Sequence, residues 1–290
     1  MKRFLYFTLI LALFISCRTA GEPSGSSVWM VSKDGNTLYL GGSIHILRED
    51  DFPLPKEFDL ALSESEVLVL EADVEQMEDD EVVRYVMSQM FLSDNQTLAT
   101  LLDPDVYTML SDSLNEYGLP IESISGFKPS MVMTMLTMIQ FQEYGFTQEG
   151  IDFYYLQKAL DENKQIQFLE SVESQIDMLV SMGEGYENDF VLYSLQDLEN
   201  TGTFLTTILN DWRTGESEST EMSLISMKEE WPQTYKSMIT DRHDAWMPQI
   251  EEFLDSGSTY FVIAGLLHMH GPDGLLKQLE DKGCTIEQLK

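Results

Sequence analysis

The stretch LYLGGSIHIL, residues 38–47, sets how the rest of the sequence is interpreted. An apolar run of strand-favouring residues leads into two glycines, and His45 follows them. A second apolar run, YFVIAGLLHMHG at residues 260–271, also leads into a glycine, with His268 three residues later. Because the chain contains only 4 histidines in 290 residues, two matching Gly-x-x-His patterns point to one shared site.

Four short apolar runs predict buried strands, and a further short strand precedes the first of them. That preceding strand would pair with the first run through a turn at Asp34-Gly35-Asn36. Segments with helical spacing lie between the runs, so the sequence predicts an α/β fold with helical insertions between the strands. The four runs are residues 36–47, 66–73, 165–171 and 259–269.

The predicted strands end in chemically useful side chains. Two end in Gly-x-x-His, and two others end in Leu-Glu, at Glu71 and Glu170. Ligand sites in open α/β sheets lie at the carboxyl ends of the strands. We therefore expect His45, Glu71, Glu170 and His268 at one edge of one sheet, and their order is consistent with two related halves.

Two neutral imidazoles and one or two carboxylates are typical ligands of a divalent transition metal, with zinc, manganese and cobalt as candidates. Such an ion lowers the pKa of a bound water, and Glu71 would serve as ligand or general base. Ser43 would orient His45 or donate to a substrate. Glu71 follows an apolar run, where an unpaired carboxylate is costly.

Each residue also has a structural alternative. His45 and His268 could be core histidines, and Glu170 could cap the helix that follows it. His270 is expected to lie just behind the site residues or on the surface. In DRHDAW, residues 241–246, Arg242 could pair with a buried carboxylate and His243 could lie on a helix surface.

Asp152 is ambiguous in the same way and could be functional or structural.

The sequence contains no Gly-x-Ser-x-Gly elbow, no His-Glu-x-x-His, no Walker loop and no glycine-rich dinucleotide fingerprint.

The N-terminal segment predicts export. A positively charged start precedes an apolar run that is too short to cross a bilayer comfortably. Ser16 then precedes Cys17, as in a bacterial lipoprotein signal, although Phe14 departs from the usual aliphatic residue. Residues 1–17 therefore predict a lipoprotein signal with lipidation of Cys17, and an ordinary signal peptide is the alternative.

Residues 18–27 are rich in Gly, Ser and Pro and predict a flexible tether, which leaves residues 28–290 as the folded domain. The chain carries 17 basic and 50 acidic residues, a formal charge of −33. This charge argues against nucleic acid or an anionic lipid surface as partner of the domain. Cations and basic or neutral peptides fit better, although the charge could simply serve solubility.

Four segments across the domain resemble the TraB/GumN family, also called TraB/PrgY/GumN, whose animal relatives are the Tiki proteins. The segments are residues 28–47, 61–73, 150–179 and 261–284. The resemblance implies an α/β fold with a small central sheet and two related halves, similar to the erythromycin-esterase/ChaN group.

Because Tiki members are described as metal-dependent proteases, the resemblance implies a metal-dependent hydrolase, a peptidase, with His45, His268 and Glu71 in its site. The predicted lipid anchor would place it on a bacterial membrane, facing the periplasm or the cell surface. We further expect Glu170 as a metal ligand or close neighbour, and Arg242 to stabilise a developing oxyanion. The family often has Arg-Asn where this chain has Arg242-His243, so His243 could be an additional ligand.

Two other functions remain open from the sequence. One is a non-catalytic envelope protein that sequesters a peptide or a metal. The other is a structural protein of envelope or polysaccharide assembly, in which the two Gly-x-x-His histidines have no chemical role.

Overall fold

The computed structural model describes residues 25–147 and 150–290. The predicted signal peptide, the lipidation of Cys17 and most of the predicted tether lie outside these residues. Ser26 and Ser27, near the start of the described residues, are buried. The Ser27 N–H donates to the Trp212 carbonyl, and the Gln288 side chain donates to the Ser26 carbonyl.

A six-stranded mixed sheet forms the centre of the α/β fold, in the order β4-β3-β5-β2-β1-β6. Strands β4, β3, β5 and β2 run parallel, whereas β1 is antiparallel to both β2 and β6. The strands are β1 (Val28–Lys33), β2 (Asn36–Ser43), β3 (Val67–Leu70), β4 (Gln165–Phe168), β5 (Tyr260–Gly265) and β6 (Thr285–Gln288).

The predicted hairpin between β1 and β2 is present. Asp34 and Gly35 have φ values of 51° and 90°, the left-handed conformation that a two-residue hairpin turn requires. Asp tolerates this conformation better than most residues, and glycine adopts it without steric cost.

Helices cover the sheet and build a second lobe beside it. They are α1 (Lys56–Glu64), α2 (Asp80–Gln89), α3 (Leu98–Leu101), α4 (Pro104–Glu116), α5 (Pro129–Glu143), α6 (Ile151–Asp161), α7 (Val172–Ser181), α8 (Glu187–Thr214), α9 (Glu218–Glu230), α10 (Pro232–Tyr235), α11 (Asp241–Asp255), α12 (Leu266–Met269) and α13 (Leu275–Asp281). A π-helix at Lys236–Thr240 joins α10 to α11.

Four apolar clusters form among the described residues, and two of them are large. The larger of these two packs α1, α6, α11, α13 and the second half of α8 against the sheet. The other joins α3, α4 and α5 to the first half of α8, and it buries Met133 of the methionine-rich α5.

The parallel register brings the predicted site residues to one edge. Ser43 at the end of β2 is level with Gly265 at the end of β5, and Leu70 of β3 is level with Phe168 of β4. The residues that follow all four strands therefore leave the sheet on the same side.

Strand β5 is shorter than the sequence predicts. It ends at Gly265, whose N–H donates to a carboxylate oxygen of Glu71, and the chain then turns into α12. Strand β5 was predicted to reach Met269, but it stops before His268. Residues 266–269 form α12 instead, and this short helix buries Leu266 and Met269.

Strand β6 was not predicted. Its sequence, TIEQ, is mostly polar, and it pairs only along β1 at the sheet edge. No helix within residues 25–147 and 150–290 is both long and apolar enough to cross a membrane.

Phe261 on β5 lies in the larger apolar core. Its side chain is 0% exposed and packs against Phe58 and Tyr155, with ring centroids 6.1 and 6.3 Å away. We expect Phe261→Ala to lower the free energy of unfolding by about 3–5 kcal/mol, because it opens a cavity in β5. Phe204→Ala, at a side chain that is 41% exposed, is the matched control. Urea denaturation followed by circular dichroism measures both, and equal losses would contradict the assignment of Phe261 to the core.

Candidate functional site

A buried arginine connects the predicted site residues. Arg242, at the start of α11, donates from Nη2 to Glu170 Oε1 over 2.7 Å and from Nε to Glu170 Oε2 over 3.3 Å. Its Nη2 also donates to Glu71 Oε2, and its Nη1 donates to His268 Nε2 over 2.8 Å. The guanidinium lies 4.3 Å from the ring centroid of Trp246. Arg242 thus satisfies both predicted glutamates and one predicted histidine.

The charges of this cluster stabilise one another. Burial disfavours the charged form of Arg242, but the two carboxylates outweigh it and raise the pKa of the guanidinium. Burial likewise opposes ionisation of Glu71, but Arg242, the two histidines and the Gly265 N–H together outweigh it and lower the pKa of Glu71 to about 2. Arg242 and Glu71 are therefore both charged at neutral pH.

Glu71 has partners on both of its oxygens. Oε1 accepts from the Gly265 N–H over 2.6 Å, and Oε2 accepts from Gln175 Nε2 over 2.9 Å as well as from Arg242. Its side chain is only 5% exposed, so these bonds offset the cost of burying a carboxylate. Gln175 lies on α7, which follows β4 directly.

Glu170 does not cap the helix that follows it. Ser171 is the N-cap residue of α7, and its side chain accepts a hydrogen bond from the Ser174 N–H. Glu170 is instead directed toward Arg242.

His268 is enclosed by the cluster. Its side chain is 6% exposed, and its Nδ1 lies 2.9 Å from Nε2 of His243. Burial lowers the pKa of His268 well below its usual value, so the ring is neutral. His243 is 1% exposed, and the interpretation of this residue as part of a helix surface is therefore wrong, since α11 turns it inward against Trp246.

His45 forms the open side of the site. Its side chain is 62% exposed, and its Nδ1 lies 2.8 Å from Oδ2 of Asp152 in the first turn of α6. The charge of Asp152 raises the pKa of His45 to about 9. Helix α6 is fixed here by the Ile151 N–H, which donates to the Ile44 carbonyl over 3.0 Å. A Cβ at Gly150 would lie 2.2 Å from the His45 carbonyl oxygen, so this approach requires glycine.

The side chains converge beside Gly265. A Cβ placed on Gly265 would lie 3.4 Å from Glu71 Oε1, 3.5 Å from His45 Nε2 and 3.6 Å from His268 Cδ2. The structure therefore brings His45, Glu71 and His268 together at the carboxyl edge of the sheet, with Glu170 joined to them through Arg242.

The donor types at this point fit a divalent metal. Nε2 of His45 and Oε1 of Glu71 face the same place, and each of the two histidines uses Nδ1 for a hydrogen bond, as metal-binding histidines usually do. Oε1 of Glu71 and Nε2 of His268 are 3.8 Å apart. Arg242, however, already donates to His268 Nε2, so a metal bond there must replace that hydrogen bond. Among residues 25–147 and 150–290, no group of three His, Cys, Asp or Glu side chains is arranged to hold a metal ion.

Two other residues lie apart from the cluster. The hydroxyl of Ser43 is buried and has no hydrogen-bond partner in the part of the chain that the structure describes, so Asp152 and not Ser43 orients His45. His270 is half-buried and packs against Trp29, with ring centroids 5.2 Å apart, so it neither joins the cluster nor lies fully on the surface.

Three residues that support the site were hard to predict from the amino-acid pattern. Asp152 and His243 were noted but left open, and Gln175 was missed. The pairing of Arg242 with buried carboxylates was considered and is present. His243 has helical spacing with Trp246, Met247 and Ile250, which are buried on α11. This spacing is the pattern that could have indicated a buried His243.

Residues 27–288 match the TraB/PrgY/gumN family, and the chain belongs to that family. The chain is 24% identical over 251 residues to the uncharacterized protein YbaP of Escherichia coli (strain K12), which covers 83% of this chain and 87% of YbaP. YbaP of Shigella flexneri is 24% identical over 250 residues with the same coverage. No solved structure matches the chain significantly. The family resemblance inferred from the sequence is thus confirmed.

The ionised state of Glu71 predicts an acid-sensitive fold. Its folded pKa of about 2 lies below the ordinary value of 4.5, so its charge stabilises the folded state above pH 4.5. This contribution is lost as the pH falls from 4.5 toward 2. We expect the difference in free energy of unfolding between wild type and Glu71→Gln to shrink by about 3 kcal/mol over that range.

Urea denaturation at pH 7, 4.5 and 3 measures this difference, of which about 2 kcal/mol should be lost by pH 3. Glu199→Gln, at an exposed glutamate on α8, is the control and should follow the wild type at every pH. A Glu71→Gln difference that stays constant with pH would show that the charge of Glu71 does not stabilise the fold.

Proposed function

We propose that this protein is a hydrolase that cleaves peptide bonds with the help of a divalent transition metal. The observation that carries the proposal is the convergence of His45, Glu71 and His268 beside Gly265, at the sheet edge where α/β folds place their ligands. Membership of the TraB/PrgY/gumN family and the resemblance to the Tiki proteases support it.

His45, Glu71 and His268 would hold the ion, with Glu170 close by. When bound, the ion would polarise a substrate carbonyl and lower the pKa of a water molecule. Asp152 holds His45 by Nδ1, which leaves Nε2 directed toward Glu71 and Gly265. The exposed face of His45 is the side from which a substrate would enter.

Arg242 would stabilise the negative charge that develops on the carbonyl oxygen. Its Nη1 currently donates to His268, and its other donors serve Glu71 and Glu170. Release of His268 would free both the Nε2 lone pair of the histidine and one N–H of the arginine. The ion pairs with the two glutamates would keep the guanidinium at the site.

The proposal extends to the whole chain. Export as a lipoprotein anchored through Cys17 would place the site at the periplasmic or outer surface of a bacterial membrane. A net charge of −33 favours basic or neutral peptides as substrates. We also propose that β2 with β3 and β4 with β5 are two related halves of a Tiki-like fold, since each pair supplies one histidine and one glutamate.

Metal content and cleavage test this function together. We expect the full chain, purified without a chelating tag, to bind about one equivalent of zinc, manganese or cobalt by elemental mass spectrometry. His45→Ala and His268→Ala should both lose the metal and abolish cleavage of a peptide library, because each removes a proposed ligand. His270→Ala should retain both properties, since His270 lies outside the cluster.

Circular dichroism spectra that match the wild type would show that the variants are folded. Full metal content or full cleavage in either His45→Ala or His268→Ala would overturn the proposal.

A non-catalytic function is the second candidate. The observation that favours it is the closed set of hydrogen bonds among Arg242, Glu71, Glu170 and His268, which resembles a structural ion-pair network. This candidate predicts stoichiometric binding of a peptide or a metal with no turnover during long incubation. A purely structural role in envelope assembly predicts that His45→Ala and His268→Ala change nothing that can be measured in binding or cleavage.

A further inference from the structure

A row of hydrogen bonds runs from a backbone carbonyl to Arg242 through two histidines. The carbonyl oxygen of Asp273 can only accept, and it lies 2.7 Å from Nδ1 of His243. Nδ1 of His243 must therefore carry a proton. Gln278 Nε2 donates to the same oxygen over 2.7 Å and lies 3.3 Å from Nδ1 of His243, so the shorter contacts of both nitrogens are to the carbonyl oxygen.

The direction of the next bond follows from the partners of the two rings. The two facing nitrogens, His243 Nε2 and His268 Nδ1, must be one donor and one acceptor. Nε2 of His243 is the acceptor, because His268 Nε2 accepts from Arg242 and the proton of that ring is then on Nδ1. His268 Nδ1, 2.9 Å away, must therefore donate, and Nε2 of the neutral His268 carries the lone pair.

The opposite end of the row gives the same answer. Arg242 has only donors, and its Nη1 lies 2.8 Å from His268 Nε2. That nitrogen must accept, in agreement with the assignment made from Asp273. A donor-only guanidinium and an acceptor-only carbonyl thus fix one tautomer of both rings.

We propose that His243 is a positioning residue that, held by the Asp273 carbonyl, fixes His268 in the tautomer with an unprotonated Nε2 facing the site. The tautomer itself follows from the hydrogen bonds alone. Its use, in holding a divalent metal through His268 Nε2, rests on the proposed function.

The segment that supplies the carbonyl is fixed from several directions. The carboxylate of Asp273 accepts from Lys228 Nζ over 2.6 Å and from the Tyr235 hydroxyl over 2.8 Å. A Cβ at Gly274 would lie 2.4 Å from the His270 carbonyl oxygen, so the backbone here is packed too closely for any other residue. The acceptor that sets the tautomer is therefore held in place by α9 and α10, away from the site.

Nitrogen NMR of histidine-labelled protein tests the assignment directly. In the metal-free full chain we expect His268 with Nδ1 protonated and Nε2 unprotonated, and a coupling across the hydrogen bond to an unprotonated Nε2 of His243. The signals of His268 are assigned by their loss in His268→Gln. A protonated Nε2 or an unprotonated Nδ1 on His268 would overturn the proposal, whatever the protein binds or cleaves.

Two variants separate positioning from packing. His243→Gln places an amide oxygen near the position of Nε2, so it keeps an acceptor for His268. His243→Phe keeps a ring of similar size but removes the acceptor. We expect the wild-type tautomer of His268 in His243→Gln. In His243→Phe, Nδ1 of His268 loses its acceptor while Arg242 still donates to Nε2, so we expect the population of the wild-type tautomer to fall and a second tautomer to appear.

Metal titration then measures the consequence. We expect zinc to bind about 10- to 100-fold more weakly to His243→Phe than to wild type, and within about 3-fold of wild type to His243→Gln. Equal zinc affinity in all three proteins, or equal losses in both variants, would overturn the positioning role.

If wild type binds no zinc, manganese or cobalt, the proposed function fails, and the NMR result alone decides the tautomer. If His243→Phe does not fold, the wild-type coupling and the His243→Gln tautomer still decide it.

Discussion

The buried pairing of Arg242 with two glutamates is the interaction on which the site depends. Glu71 follows β3, Glu170 follows β4, and Arg242 begins the long helix before β5, so the three residues tie separate parts of the fold together. Removing one charge from such a cluster leaves another buried without compensation, which is strongly destabilising. The same contacts that stabilise the sheet edge therefore also fix the geometry of the candidate site.

The two histidines of the site differ in how far their side chains are buried. His45 is 62% exposed and is oriented by Asp152, whereas His268 is enclosed and is oriented by His243. Each histidine thus has a partner for Nδ1 and directs Nε2 toward the same region. One ring meets solvent and the other is fixed by the protein, an arrangement that suits a site open to substrate from one direction.

Much of the fold follows from local patterns. The apolar runs locate β2, β3, β4 and β5, and the turn at Asp34-Gly35 follows from the preference of these residues for left-handed conformations. Strand β6 could not be predicted from its own residues, because an edge strand need not be apolar. It is a strand because its backbone pairs with β1. The end of β5 depends on a hydrogen bond to Glu71, a residue far away in the chain.

Local patterns predict which residues follow the strand ends: the two Gly-x-x-His histidines and the two glutamates, since apolar runs and turns are local properties. How these residues are paired could not be predicted, because the pairing depends on tertiary packing. Arg242 with the glutamates, Asp152 with His45, and His243 with His268 are contacts between helices and strand ends distant in the chain. Hydrogen bonds depend on tenths of an ångström and on direction, and these are set by packing that no local pattern records.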